Sequence, residues 1–255
     1  MASQNSDRTD TIDPNSGFCS ETKIFHSLRA RISLPPETLP LSVADYVLSN
    51  LQASPSTTTL IDAANGRHIS YSEFIHRVKT LAADLHTKLG LSWGYSAYIL
   101  SPNSIQIPIL FYSLFTLGVI ISPSNPACTK PEISRQIHLC KPVIAFSTSE
   151  TADKIPPLQY GTVLLDSSEF ESMMTNDTVE YSHRVVVRQS DAATILYSSG
   201  TTGLVKGVEL THRNWISVLA GLYAIHENEP GTPPTVAVYG SVLPRLRVRF
   251  LFEGF

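Results

Sequence analysis

A run of hydroxyl-bearing residues and glycines set between two apolar strands does most to limit how this chain can fold. Residues 197–207 read Tyr-Ser-Ser-Gly-Thr-Thr-Gly-Leu-Val-Lys-Gly, with five side-chain hydroxyls, three glycines and one lysine. The apolar run Ala192 to Leu196 leads directly in, and Val208 to Leu210 reads as a second short strand. Glycines let backbone N–H groups turn inward as an anion-binding nest, which hydroxyls and an ammonium complete. The pattern is a phosphate-gripping loop in a strand–loop–strand element. The next helix begins only near His212, so no helix dipole stands behind the phosphates.

Neither common nucleotide template fits. A Walker A loop needs Gly-Lys followed by Ser or Thr, whereas here Lys206 precedes Gly207 and Val208 follows. Gly200, Gly203 and Gly207 are spaced G-x-x-G-x-x-x-G, not G-x-G-x-x-G. The plain alternative is a Ser/Thr/Gly-rich surface linker, but a linker gives no reason for two apolar flanks.

Periodicity supplies the architecture around the loop. Residues 1–40 read as a polar, proline-bearing arm. Ser42 caps a helix to about Leu51, with Asp45 as a capping-box-like partner. Leu60 to Ala63 and Arg67 to Ser70 read as strands joined by an Asn65-Gly66 turn. Ser72 is expected to open an amphipathic helix carrying Phe74, Val78, Leu81, Leu85 and Leu89, which Gly90 ends. Tyr95 to Ser101 is a buried strand, followed by an apolar helix from Asn103 and a strand at Val119 to Ser122. Thr129 and Glu132 box a helix bearing Ile133, Ile137 and Cys140. Val143 to Ser147 and Thr162 to Asp166 are further strands. Strands alternating with helices predict an open, largely parallel α/β sheet covered on both faces. Ligands in such sheets sit beyond the C-terminal strand ends, where Ser198 to Gly207 falls.

Composition excludes several classes. With 42% hydrophobic and 16% charged residues over 255, the chain has material for a sizeable core. A net charge of −3 gives no electrostatic reason to expect nucleic acid. Cys19, Cys128 and Cys140 lack C-x-x-C spacing and read as free thiols. The acidic, polar start is no secretory signal. The apolar run Ile105 to Ile121 contains Gln106, Pro108, Ser113 and Thr116, so it reads as a buried helix entering a strand, not as a membrane span.

Residues 197–214, YSSGTTGLVKGVELTHRN, resemble the phosphate-binding signature of adenylate-forming (AMP-binding) enzymes. Gly17 to Glu37, Leu100 to Pro126 and Lys141 to Ser149 resemble the plant 4-coumarate–CoA ligase-like branch of the acyl-CoA synthetases. The likeness covers most of Gly17 to Pro244 and matches only the front portion of a full-length member. It implies an α/β fold, the partial N-terminal domain of that family, over residues 41–244. It implies ATP-Mg and coenzyme A as co-substrates, with a small carboxylic acid activated first as its adenylate. The family's nucleotide-contacting positions carry over here to Ser198, Ser199, Gly200, Thr201, Thr202, Gly203, Lys206 and Gly207. Many members have proline where Val205 stands, a change of loop stiffness worth about 0.4–1 kcal/mol. The acid is left open between hydroxycinnamic, fatty and jasmonate-precursor types.

Chemistry argues for the same residues. Adenylate formation builds charge on departing pyrophosphate, and fixed donors aimed there lower the barrier. Other polar residues carry plainer readings. His212 is open to facing the nucleotide or to a structural place at a helix start. His86 and His138 lack metal-type partners, Trp215 and Tyr223 read as core, and Asp191 as an ordinary strand-leading acid that resembles a family position.

After Pro244 the likeness stops. Arg245, Arg247 and Arg249 alternate through an aberrant basic tail, 245–255, read as a frameshift, a splice variant or a real edge strand. The family's second nucleotide motif, ribose-binding aspartate, hinge and C-terminal lysine do not occur in these residues. The expectation is a truncated chain inactive as a ligase by itself, poorly soluble or partner-dependent, and cytoplasmic as written. A peroxisomal address is expected only for a longer form. The alternative is a non-catalytic product, inert or interfering with a full-length ligase.

Overall fold

The computed structural model describes residues 12–29, 31–50, 54–62, 65–176, 185–199 and 205–227. They fall in two units, Met1–Leu34 and Pro35–Phe255. In the first, β1 (Phe18–Cys19) pairs antiparallel with β2 (Ile24–Phe25). Gly17 enters this hairpin at φ 74°, and a Cβ there would stand 2.1 Å from the His26 carbonyl oxygen, so only glycine fits. The sequence reading has an arm here and no strands.

The second unit begins with α1 (Val43–Asn50), and Ser42 Oγ accepts from the Asp45 N–H at 2.9 Å as its cap. β3 (Thr58–Ile61) and β4 (His68–Ser70) form a small antiparallel ladder, with Gly66 at φ 72° in their turn. Helix α2 spans Tyr71–Leu89, and its cap corrects an expectation. Ser70 Oγ, not Ser72, accepts from the Glu73 N–H at 3.2 Å, because Ser70 still has extended backbone three residues ahead of that donor. Ser72 is already helical and donates its hydroxyl to Pro55 O at 2.9 Å. Gly90 ends α2 in the left-handed region at φ 64°, as its place predicts.

Six strands make the main sheet: β5 (Ser96–Leu100), β6 (Ile120–Ser124), β7 (Ile144–Ser147), β8 (Thr162–Leu164), β9 (Ala192–Ser199) and β10 (Val205–Thr211). Their spatial order is β10-β9-β6-β5-β7-β8. β9-β6-β5-β7-β8 are mutually parallel, and β10 alone runs antiparallel, against β9. β5 is buried at every position, as a central parallel strand must be.

Helices α3 (Gln106–Thr116), α4 (Lys130–Cys140), α5 (Ser168–Thr175) and α6 (His212–Glu227) complete the unit. α3 starts three residues later than the sequence suggests, with Pro108 in its first turn, where the missing N–H costs nothing. α4 carries the expected box: Glu132 accepts from both the N–H and the hydroxyl of Thr129 at 2.7 Å. α5 is absent from the sequence reading. Ser167 Oγ caps it by accepting from Phe170 N–H at 3.1 Å, and it buries Phe170, Met173 and Met174.

The sheet is covered on both faces. Ala97 and Ile99 of β5 join a large core with α1, α2, α3, α5 and α6. Tyr98 and Leu100, on the opposite face, join a smaller one built on α4. The run Ile105 to Ile121 is buried helix entering a strand, and no helix among the described residues is long and apolar enough to cross a membrane. Cys19, Cys128 and Cys140 are in no disulfide. The tail 245–255 lies outside the described residues.

Candidate phosphate-binding site

Strand pairing runs further into the hydroxyl-rich stretch than spacing suggests. β9 continues to Ser199 and β10 starts at Val205, with Ser199 opposite Val205, Ser198 opposite Lys206 and Tyr197 opposite Gly207. Residues directly opposite in a ladder share one face, with Cβ atoms about 4.5–5.5 Å apart. Ser198 and Lys206 therefore share one face of the hairpin, and both are exposed. Gly207 is closely backed: a Cβ there would lie 3.2 Å from Ile195 Cγ2. Gly200, Thr201, Thr202 and Gly203 lie outside the described residues.

Tyr197 occupies the other face and packs into the smaller core. Its hydroxyl donates to the Gln136 backbone carbonyl at 3.1 Å and lies 2.6 Å from Ser122 Oγ. Gln136 Oε1 in turn accepts from the Tyr98 hydroxyl at 2.5 Å. Burial raises both phenols well above the usual tyrosine range.

His212 takes the structural place. It is fully buried, its Nδ1 accepts from the Val43 N–H at 3.1 Å, and its ring meets Phe115 edge-on at 5.7 Å. Burial lowers its pKa to about 4, against the opposing attraction of Asp191 and Asp45. It is not on the exposed face with Ser198 and Lys206. The Asp191 carboxylate accepts from Arg188 N–H at 2.7 Å, closing the turn into β9. Trp215 Nε1 donates to Thr194 Oγ1 at 3.0 Å, and Tyr223 packs against Tyr46. His86 Nδ1 lies 2.9 Å from Leu91 O, and His138 is exposed. Among the described residues, no three His, Cys, Asp or Glu side chains cluster as metal ligands would.

Two anchors escape the sequence reading. Arg213 donates to Pro35 O at 2.5 Å and to Gln189 Oε1 at 2.7 Å, and Gln189 Nε2 donates to Pro36 O and Leu39 O at 2.7 and 2.9 Å. Together they pin residues 35–39 beside the start of β9. Nothing local announces them, since the partners lie more than 140 residues apart in sequence for the 35–39 contacts.

Comparison with known proteins bears on this hairpin. A profile described as "AMP-binding enzyme" matches residues 48–245. "4-coumarate--CoA ligase-like 9" of Arabidopsis thaliana is 44% identical over 224 residues, covering 82% of this chain and 40% of that protein. "4-coumarate--CoA ligase-like 5" of Oryza sativa subsp. japonica is 42% identical over 213 residues, covering 82% and 39%. The chain thus spans about two fifths of the length of these curated relatives. The solved structure titled "Crystal structure of VinN" superposes with a TM-score of 0.66 at 22% identity, covering 78% of this chain and 52% of that one. At that identity the likeness speaks for the fold alone.

Proposed function

The chain belongs to the AMP-binding enzyme family, and from that membership we propose that it carries the phosphate-gripping hairpin of an ATP-dependent acid–CoA ligase. The observation that supports this most directly is the Ser198–Lys206 pair. It puts a hydroxyl donor and a positive charge on one exposed face, at the C-terminal end of a parallel sheet. Ser198, Ser199, Thr201 and Thr202 offer hydroxyls to the triphosphate, Gly200, Gly203 and Gly207 admit close backbone approach, and Lys206 follows the departing pyrophosphate.

Magnesium arrives with ATP, whose phosphate oxygens are its natural ligands. The acid is of hydroxycinnamic or fatty type, and coenzyme A is the acyl acceptor of the complete reaction. Cytoplasmic location is part of this proposal. The 255 residues alone hold ATP weakly and turn over no acyl-CoA, because the relatives are about twice as long.

The same length difference supports a second reading, a non-catalytic product that is inert or interferes with a full-length ligase. Titrating the 255-residue chain with MgATP, alongside Lys206→Ala, tests the first reading. Charge-assisted hydrogen bonds contribute roughly 1.5–3 kcal/mol, so the variant should bind about tenfold or more weakly. Equal binding by both chains would overturn it. ATP–pyrophosphate exchange with cinnamic or fatty acids then separates catalysis from its absence.

A further inference from the structure

The hairpin is held to the sheet by surprisingly little backbone. Among the described residues, β9 pairs with β6 in register only at Thr194 and Ile121, and β10 lies at the sheet edge. Beyond that rung the lateral tie is a side chain. The Tyr197 phenol has a single proton and a carbonyl can only accept, so that proton goes to Gln136 O at 3.1 Å. The Ser122 hydroxyl, 2.6 Å away on β6, must then donate to the phenol oxygen. Gln136 is itself buried and braced at its other end, with Oε1 accepting from Tyr98 of β5 at 2.5 Å and Nε2 reaching Cys128 Sγ at 3.9 Å. One phenol therefore joins three elements, β6, β9 and α4, directly opposite Gly207 in the hairpin.

We propose that Tyr197 is the positioning residue of the hairpin: its hydroxyl, held by Ser122 and the Gln136 carbonyl, sets where Ser198 and Lys206 stand. This rests on the phosphate reading above. Ser198 is the next residue in the chain, and Lys206 is coupled to it across the ladder, so a shift of Tyr197 moves both. Burial, with Cys140 beside the ring, raises the phenol far above its ordinary range, so the relay keeps its proton at any assay pH.

The test uses the 255-residue chain as wild type, Tyr197→Phe, Ser122→Ala and Lys206→Ala. Amide hydrogen exchange is followed at residues 197–199 and 205–208 and, as a control, in α2 and α3. Inorganic pyrophosphate is the binding probe. Loss of two buried hydrogen bonds should raise hairpin exchange roughly fivefold or more in Tyr197→Phe. Ser122→Ala should act in the same direction, pyrophosphate affinity should fall by a similar factor, and α2 and α3 should be unmoved. Hairpin exchange that stays at the wild-type rate, or rises equally in α2 and α3, would overturn the proposal. Wild-type and Lys206→Ala chains equally indifferent to pyrophosphate would sink the phosphate reading, and the exchange result would still decide whether Tyr197 holds the hairpin.

Discussion

The backbone N–H of Val43 donates to Nδ1 of His212 at 3.1 Å, joining the first residue of α1 to the first residue of α6. The bond requires a neutral imidazole, and burial keeps it neutral down to about pH 4. The unfolded chain protonates the same ring near its ordinary value of 6.5. The unfolded state thus binds more protons between those values, so stability is full above pH 6.5 and is lost as pH falls toward 4. At 1.36 kcal/mol per pKa unit the loss is on the order of 3 kcal/mol. Urea midpoints at pH 7.5, 5.5 and 4.5 should fall steadily, and His212→Asn, which keeps an acceptor without titrating, should show a flatter slope.

Ser70 and Ser72 offer a sharp comparison at the start of α2. Ser70→Ala removes the side chain that accepts from Glu73 N–H and should cost about 1 kcal/mol. Ser72→Ala removes an exposed bond to Pro55 O and a 3.2 Å contact with Ser70 Oγ, and should cost a few tenths of a kcal/mol. Equal losses in thermal unfolding would contradict the capping assignment.

Glu171 of α5 accepts from both Arg67 and Arg77 at 2.8 Å, and the Arg77 side chain is only 8% exposed. Glu171→Gln would leave a nearly buried guanidinium with Glu73 as its remaining carboxylate. Because Glu171 is partly solvated, the cost should be about 1–2 kcal/mol, below that of a fully buried pair. A chemical-denaturation midpoint unchanged from wild type would remove α5 from the stabilising contacts of α2.

Phe170 is fully buried on that same helix and packs against Phe146 of β7, ring centroids 6.4 Å apart. Phe170→Ala should destabilise by roughly 3–5 kcal/mol through lost burial and the cavity left behind. Denaturant unfolding measures it, and a loss under 1 kcal/mol would mean the site collapses around the gap.

Gly207→Ala tests how tightly the hairpin is backed. The added methyl lies 3.2 Å from Ile195 Cγ2, so Ile195 or β10 must yield by a few tenths of an ångström. The expected result is a stability change under about 1 kcal/mol with pyrophosphate binding weakened several-fold, as β10, which carries Lys206, is displaced. Unchanged affinity would show that the backbone tolerates the shift.

Short-range signals were legible without a structure. The Thr129–Glu132 box, the Ser42 cap, Gly90 as a helix stop and the buried β5 each depend on residues within a few positions of one another. The hydroxyl and glycine stretch before Gly207 is equally local, which is why its chemistry could be read directly. α5 escaped because eight residues carry too little period to stand out, and its identity rests on Phe170 and Met174 reaching a core supplied by distant strands.

What this sequence determined by itself was the alternation of strand and helix and the residues gathered near the phosphate hairpin. Tertiary structure decided which of them meet. The partners of Tyr197 lie 61 and 75 residues away, and those of His212 and Arg213 lie 169 and 178 away. No spacing rule spans such distances, because hydrogen-bond geometry between elements is set only once the sheet order brings β6, β9 and α4 together. The same holds for the Ser198–Lys206 face. Either residue is legible alone, and the register of two antiparallel strands is what makes them a pair.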